Sequence, residues 1–276
     1  MLLPPGSIST RPFETETLYP VFGASPAHHT VTPVDVARPL AAHGAAASRL
    51  TRDEPRCRHD LVIEDGADAD PQHQLGGYWF SYADNSGSSV HPPPATLGGV
   101  FSLEARRAED PAFVARMFGV VGNSEPHFVG MGFNFSDPRE PFDASAYRGF
   151  AFLAKGGAGA TTNVRVSVLD GNTDPQGELC DECYNAFGFD LELTPEWRPY
   201  TLYFAQATQE AGWGKPRPES IDPQSLYAVQ FQVTRLGSFE VSITALSFLR
   251  CDPAWNPPGR GSAPGDGSAG AGNLGR

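Results

Sequence analysis

The chain has no apolar run near the ~20 residues that a bilayer-crossing helix requires, so an integral helical membrane protein is excluded. It is poor in basic residues, with Lys and Arg totalling 20 against 32 Asp and Glu for a net charge of -12, and no stretch clusters them. Nucleic-acid binding depends on such clusters to neutralise phosphates, and anionic membrane surfaces attract the same residues, so both partners are disfavoured. Met1-Leu2-Leu3 runs at once into Pro4-Pro5-Gly6, without the basic and apolar regions of a secretory signal.

Catalytic signatures are missing too. There is no Gly-x-Ser-x-Gly elbow, no phosphate-cradling glycine loop leading into a helix, and no His-x-x-x-His pair among the 7 histidines. The Glu-x-Asp-x-x-Glu strand that gives jelly-roll glucanases two carboxylates on one face is absent as well. Asp190 and Glu192 share a strand face, but exposed acids at i and i+2 serve solubility more often than catalysis. The chain is therefore expected not to be an enzyme.

What is abundant is punctuation: 30 Gly and 26 Pro, concentrated at both ends and between short apolar runs. Residues 1–56 show no lasting period and read as a disordered leader or linker. The Gly/Pro/Ser-rich stretch 253–276 reads as a disordered tail. Between them, 57–252, strand-like runs fall at 61–64, 76–82, 98–103, 112–120, 127–135, 149–155, 163–170, 186–193, 197–204, 226–233 and 238–249. Short strands at this spacing, without a long helix, predict an all-β jelly-roll sandwich of two antiparallel sheets.

Alternation assigns faces. Val129, Met131, Phe133 and Phe135 point inward, leaving Gly130 and Gly132 to lower the opposite face and make room for something lying across it. Val164, Val166 and Val168 point inward with Arg165 and Ser167 outward; Tyr227, Val229, Phe231 and Val233 point inward with Gln230 and Gln232 outward. The outward faces are polar but rarely charged, which suits sugar hydroxyls and also suits plain solvent.

Of the 4 cysteines, Cys57 precedes the first strand and Cys251 follows the last, where the ends of a jelly roll meet, so they are expected to bond. Cys180 and Cys183 form C-D-E-C, readable as a redox pair, half of a zinc site or a local disulfide. Asp181 and Glu182 raise the cost of a thiolate, and the two-disulfide reading is favoured. Oxidised cysteines imply a secreted or extracytoplasmic protein.

The series LVIEDGADAD, GGYWFSY, VRVSVLDGNTDPQGELCDECYNAFGFDLELTPEWRPYTLYF, GWG, LYAVQFQV and FEVSITALSFL resembles the family-11 carbohydrate-binding modules. It also resembles their relatives in the galactose-binding-like superfamily, including the complex I intermediate-associated domain. The likeness spans roughly 58–250, and its most particular part is Trp-Arg-x-Tyr-Thr followed by Gln-x-x-Gly-Trp-Gly. It implies a monomer binding a β-glucan-like polysaccharide along a concave sheet. Carried over by position, the cleft would use His127 or Phe128, Arg165, Asp170, Tyr184, Gln230 and Gln232, bordered by the Trp213 loop. The resemblance also implies structural calcium near Glu64 and Asp65, although Thr244 and Ala245 stand where acids would be expected on the last strand. A protein-interaction or assembly module of the same fold is the alternative function, and a jelly-roll glycosidase or lyase a further one.

Overall fold

A computed structural model describes residues 57–252 apart from 85–86, 108–109, 124–126 and 162; the expected leader and tail lie outside the described residues. Its twelve strands are β1 (Cys57–Glu64), β2 (Trp79–Ala83), β3 (Ser89–His91), β4 (Glu104–Arg107), β5 (Asp110–Val121) and β6 (Val129–Asn134), then β7 (Gly149–Gly156), β8 (Asn163–Asp170), β9 (Phe187–Glu192), β10 (Arg198–Tyr203), β11 (Leu226–Val233) and β12 (Gly237–Cys251). Among the described residues the helical structure amounts to three single 3-10 turns. The fold is the expected all-β jelly-roll sandwich of two antiparallel sheets.

One sheet has the order β10-β7-β12-β5-β3, with β1 added beside β12 and β4 beside β5. The other has the order β2-β6-β11-β8-β9. The 15-residue β12 lines up along β7 on one flank and divides its other flank. Gly237–Ile243 pair with β5, and Leu246–Cys251 pair with β1. The change of partner falls at a register shift where Ala245 adopts φ 52°.

The inward faces are closed by rings from both sheets. Phe152 of β7 meets Phe231 of β11 edge-on at 5.5 Å, and Phe248 of β12 stacks on Phe135, just past β6, at 5.7 Å. Each buried aromatic removes a large apolar area from water and gains further from these ring geometries. The inward residues expected on β6 and β8 are all buried.

Two expectations change. The run at 98–103 is not a strand. Gly98, at φ 78°, ends a 3-10 turn, and Gly99 is pressed so closely on the Pro93 carbonyl that a Cβ there would lie 1.7 Å from it. Phe101 and Leu103 still reach the core, but from irregular chain, and the pairing passes to β3 and β4 instead. On β11, a bulge between Leu226 and Ala228 breaks the alternation. Leu226 joins the inter-sheet core, while Tyr227 is buried elsewhere, its hydroxyl donating to the Gln176 carbonyl and its ring beneath Arg139.

Both expected disulfides form, Cys57–Cys251 and Cys180–Cys183. The first joins directly paired residues of β1 and β12 across a sequence separation of 194, the second a separation of 3. On the loop-closure argument they constrain the unfolded chain by about 5 and about 2 kcal/mol respectively. Urea titration of Cys57→Ser/Cys251→Ser should therefore show a much larger loss of stability than Cys180→Ser/Cys183→Ser.

His73 locks the turn before β2. Its Nε2–H donates to the Asn134 carbonyl at 2.7 Å, and Nδ1 accepts the Leu75 N–H at 3.2 Å, which requires the neutral ring. Burial lowers its pKa to about 4 from the usual 6.5. A depressed folded pKa means that the stability is present above the unfolded value and is lost as pH falls from 6.5 toward 4. Urea titrations should show wild type losing up to about 3 kcal/mol more than His73→Gln between pH 7 and pH 4.

Candidate functional site

The outward face of the five-stranded sheet is built from rows of directly paired residues. One row runs Tyr82, Gly130, Gln232, Arg165, Asp190 across β2, β6, β11, β8 and β9. The next runs Phe80, Gly132, Gln230, Ser167, Gly188 in the same order. With strands ~4.8 Å apart, each row extends roughly 19 Å.

Three glycines on this face are what let neighbouring side chains lie down on it. A Cβ at Gly130 would fall 2.2 Å from Cζ of Tyr82, and one at Gly132 would lie 3.1 Å from Cζ of Phe80. The room anticipated above β6 is thus filled by two aromatic rings from the edge strand. Tyr82 reaches across β6 so that its hydroxyl donates to Oε1 of Gln232 at 3.3 Å, and burial raises its phenol pKa. Phe128 lies 6.2 Å from Tyr82, and Tyr78, 39% exposed, continues the aromatic edge.

Gly188 does the same for Arg165, whose Cζ would be 2.8 Å from an added Cβ. The guanidinium is held from several sides. It donates to Asp190 Oδ1 and Oδ2 at 3.1 and 3.2 Å and to the Thr208 carbonyl at 2.6 Å, and its Nε lies 3.7 Å from Glu210 Oε1. Its side chain is 13% exposed, whereas that of Asp190 is 82% exposed. An open depression of about 380 Å³ lies here, lined by Asn163, Arg165, Asp190, Glu192, Glu210 and Gln232 among others.

Glu210 belongs to the loop that carries Trp213, 42% exposed, whose Nε1–H donates to Glu210 Oε2 at 2.9 Å. The Trp213 loop therefore borders the groove through Glu210. Arg165, Gln230, Gln232 and Phe128 come together on one face, and His127 is half-buried just ahead of β6. Tyr184 stands 47% exposed on the disulfide-closed turn, in a left-handed conformation at φ 73°.

Asp170, expected in the cleft, is instead 0% exposed. Its carboxylate accepts the Asn172 and Asp222 N–H groups and the Thr173 hydroxyl, organising the turn after β8. Glu64 is also spoken for, its two oxygens accepting Gly66 N–H at 2.8 Å and Trp79 Nε1–H at 3.1 Å. Asp65 accepts from Ala67 and Gln74. Thr244 presents a hydroxyl that donates to the Phe113 carbonyl. Calcium needs six to eight oxygens, and a donor set already turned toward N–H groups does not fit it.

No family model and no curated protein matches the chain. Among solved structures, the family 11 carbohydrate-binding module of the cellulosomal cellulase Lic26A-Cel5E of Clostridium thermocellum shares 10% identity over 62% of this chain and 86% of its own, with a TM-score of 0.43. A Clostridium thermocellum family 11 module in complex with a β-1,3-1,4-mixed-linked tetrasaccharide covers 68% of this chain and 96% of its own at 10% identity and a TM-score of 0.46. A family 30 carbohydrate-binding module covers 72% and 91% at 11% identity, also with a TM-score of 0.46.

Tyr78, Phe80 and Tyr82 were not singled out from sequence. The signal was there: in GGYWFSY, period two turns Trp79 and Ser81 inward and these three rings outward. Asn185 and Glu210 had no such signal, since each acts through loop contacts.

Burial raises the pKa of both Glu64 and Asp170 from ordinary values of 4.5 and 3.8. Raised carboxyl pKa values give stability that is full below the unfolded values and declines as pH rises through the folded ones. Glu64→Gln and Asp170→Asn each turn an amide NH2 toward a backbone or indole N–H. Each should cost about 1–3 kcal/mol in urea titrations, with the deficit largest in acid.

Proposed function

We propose that the outer face of the five-stranded sheet is a non-catalytic binding site for a neutral polysaccharide in a secreted protein. The observation that carries this reading is the pair of half-buried rings, Phe80 and Tyr82, reaching over Gly132 and Gly130 at 41° to each other, with Gln230, Gln232 and Ser167 following in the same rows. A flat aromatic beside uncharged donors and acceptors complements a sugar ring, which offers an apolar C–H face and a rim of hydroxyls. Two disulfides support an oxidising compartment.

Charge favours a neutral ligand. The groove exposes Asp190 and Glu192 and borders Glu210, while its cation, Arg165, is already paired. A carboxylated chain would meet these like charges, with the guanidinium of Arg165 already taken up by Asp190, Thr208 and Glu210. The same pairing argues against glycoside hydrolysis at Asp190. A general acid must be held protonated by burial or a neighbouring anion, whereas this carboxylate is exposed and faces Arg165.

Affinity electrophoresis through gels holding β-glucan, xylan, mannan or a carboxymethylated glucan tests this. Wild type should be retarded by a neutral polymer, more weakly by the carboxymethylated one, and without release of reducing sugar. Tyr82→Ala or Gln232→Ala should weaken the retardation by about tenfold, equivalent to ~1.4 kcal/mol. Migration of wild type unaffected by every polymer would refute the reading and direct attention to a protein partner.

A further inference from the structure

The groove wall formed by Glu210 to Lys215 has little apolar anchorage of its own. Trp213 is 42% exposed and sits between Gly212 and Gly214, at φ 90° and 87°, so the loop's conformation does not follow from its own packing. Its hold comes from Asn185, which is only 2% exposed. The Asn185 Nδ2 group donates to the Glu210 carbonyl at 3.0 Å and to the Trp213 carbonyl, while Oδ1 accepts the Glu210 N–H at 2.9 Å. Its backbone carbonyl accepts Gln209 Nε2–H at 2.7 Å. A Cβ at Gly214 would lie 2.5 Å from Cβ of Asn185, so the glycine is what admits this side chain to the loop.

A second tether arrives from the disulfide-closed turn. Glu182 Oε2 accepts the Gly214 N–H at 3.1 Å and Oε1 accepts Lys215 Nζ at 2.9 Å, and the backbones of Glu182 and Lys215 bridge each other. Both tethers act on the segment whose Glu210 faces Arg165.

We infer that Asn185 is a positioning residue for the binding face: by clamping both ends of Glu210–Trp213 it sets the wall of the groove and, through Glu210, the attitude of Arg165. This rests on the polysaccharide-binding reading above. An asparagine is needed because one side chain must present two N–H groups to two carbonyls and an oxygen to an N–H. Asn185→Asp keeps the shape but sets a carboxylate oxygen against the Glu210 and Trp213 carbonyls.

The test compares wild type, Asn185→Asp and Tyr82→Ala by retardation in a polysaccharide gel, melting temperature, and amide hydrogen exchange of the peptide spanning 208–216. Asn185→Asp should weaken retardation by about tenfold or more, speed exchange in 208–216 more than elsewhere in the domain, and lower the melting temperature by several degrees without abolishing the cooperative transition. Tyr82→Ala should weaken retardation without changing that exchange. Asn185→Asp retarded like wild type, or losing retardation with exchange unaltered, overturns the inference and leaves the binding reading standing. Wild type that no polysaccharide retards overturns the binding reading itself. Should Asn185→Asp fail to fold, Glu182→Ala removes the exposed tether instead: weaker retardation with faster exchange supports the inference, and wild-type behaviour on both overturns it.

Discussion

The fold depends on how β12 shares its hydrogen bonds. A strand of 15 residues spans more sheet than either β1 or β5 covers, so one flank is divided between them while β7 follows the other. At the division, where Thr244 and Ala245 interrupt the register, the chain that would otherwise leave polar groups open is stitched by its neighbours. Thr244 donates to the Phe113 carbonyl, Gly66 accepts the Phe113 N–H, and Glu64 gathers the Gly66 and Trp79 N–H groups. A buried carboxylate that accepts two N–H bonds is tolerable, whereas one left bare would not be. The terminal disulfide then closes the far end of the same β1–β12 pair, so the second half of β12 is fixed at both limits.

With that sheet fixed, the opposite one is positioned by rings that cross the core, and its outer face becomes a consequence of strand period. Every core residue on β6 dictates an outward neighbour, and two of those neighbours are glycines. The missing side chains do not leave an empty trench. They allow Phe80 and Tyr82 to reach over from the edge strand that ends the hydrogen-bonded ladder, so that tilted rings cover the strand beside it. Arg165 over Gly188 repeats the device at the other edge, with a charged plane in place of an aromatic one.

Much of this could be read from sequence because strands carry their faces in the chain order. The alternation of Val164, Val166 and Val168, and of Val129, Met131 and Phe133, identified the core side, and the positions of Cys57 and Cys251 identified how the ends meet. The failures occurred where local geometry breaks period two. The bulge at Leu226 exchanges the roles of Leu226 and Tyr227, and the Gly98-Gly99 pair removes Phe101 from any strand while leaving it in the core. Asp170 shows a different limit: the resemblance implies a ligand contact while the Asp-Gly-Asn-x-Asp run reads as a turn, and in the folded chain the Asn172, Thr173 and Asp222 groups have taken up its oxygens.

The same distinction governs Arg165 and what kind of recognition the face can perform. A guanidinium that must first leave Asp190, Thr208 and Glu210 to meet a ligand would exchange formed charge-assisted bonds for new ones, gaining little net free energy. Its planar group is more useful where it stands, as a rigid floor beside Gln232. On the polysaccharide-binding reading proposed above, discrimination then falls to the neutral side chains and the rings. Hydrogen bonds from the half-buried glutamines replace bonds to water and contribute modestly, whereas the rings present apolar area already packed on the glycines beneath them, so little side-chain freedom is lost on contact. On that reading ring placement would set the affinity, and the polar rows would set which polymer lies in register with them.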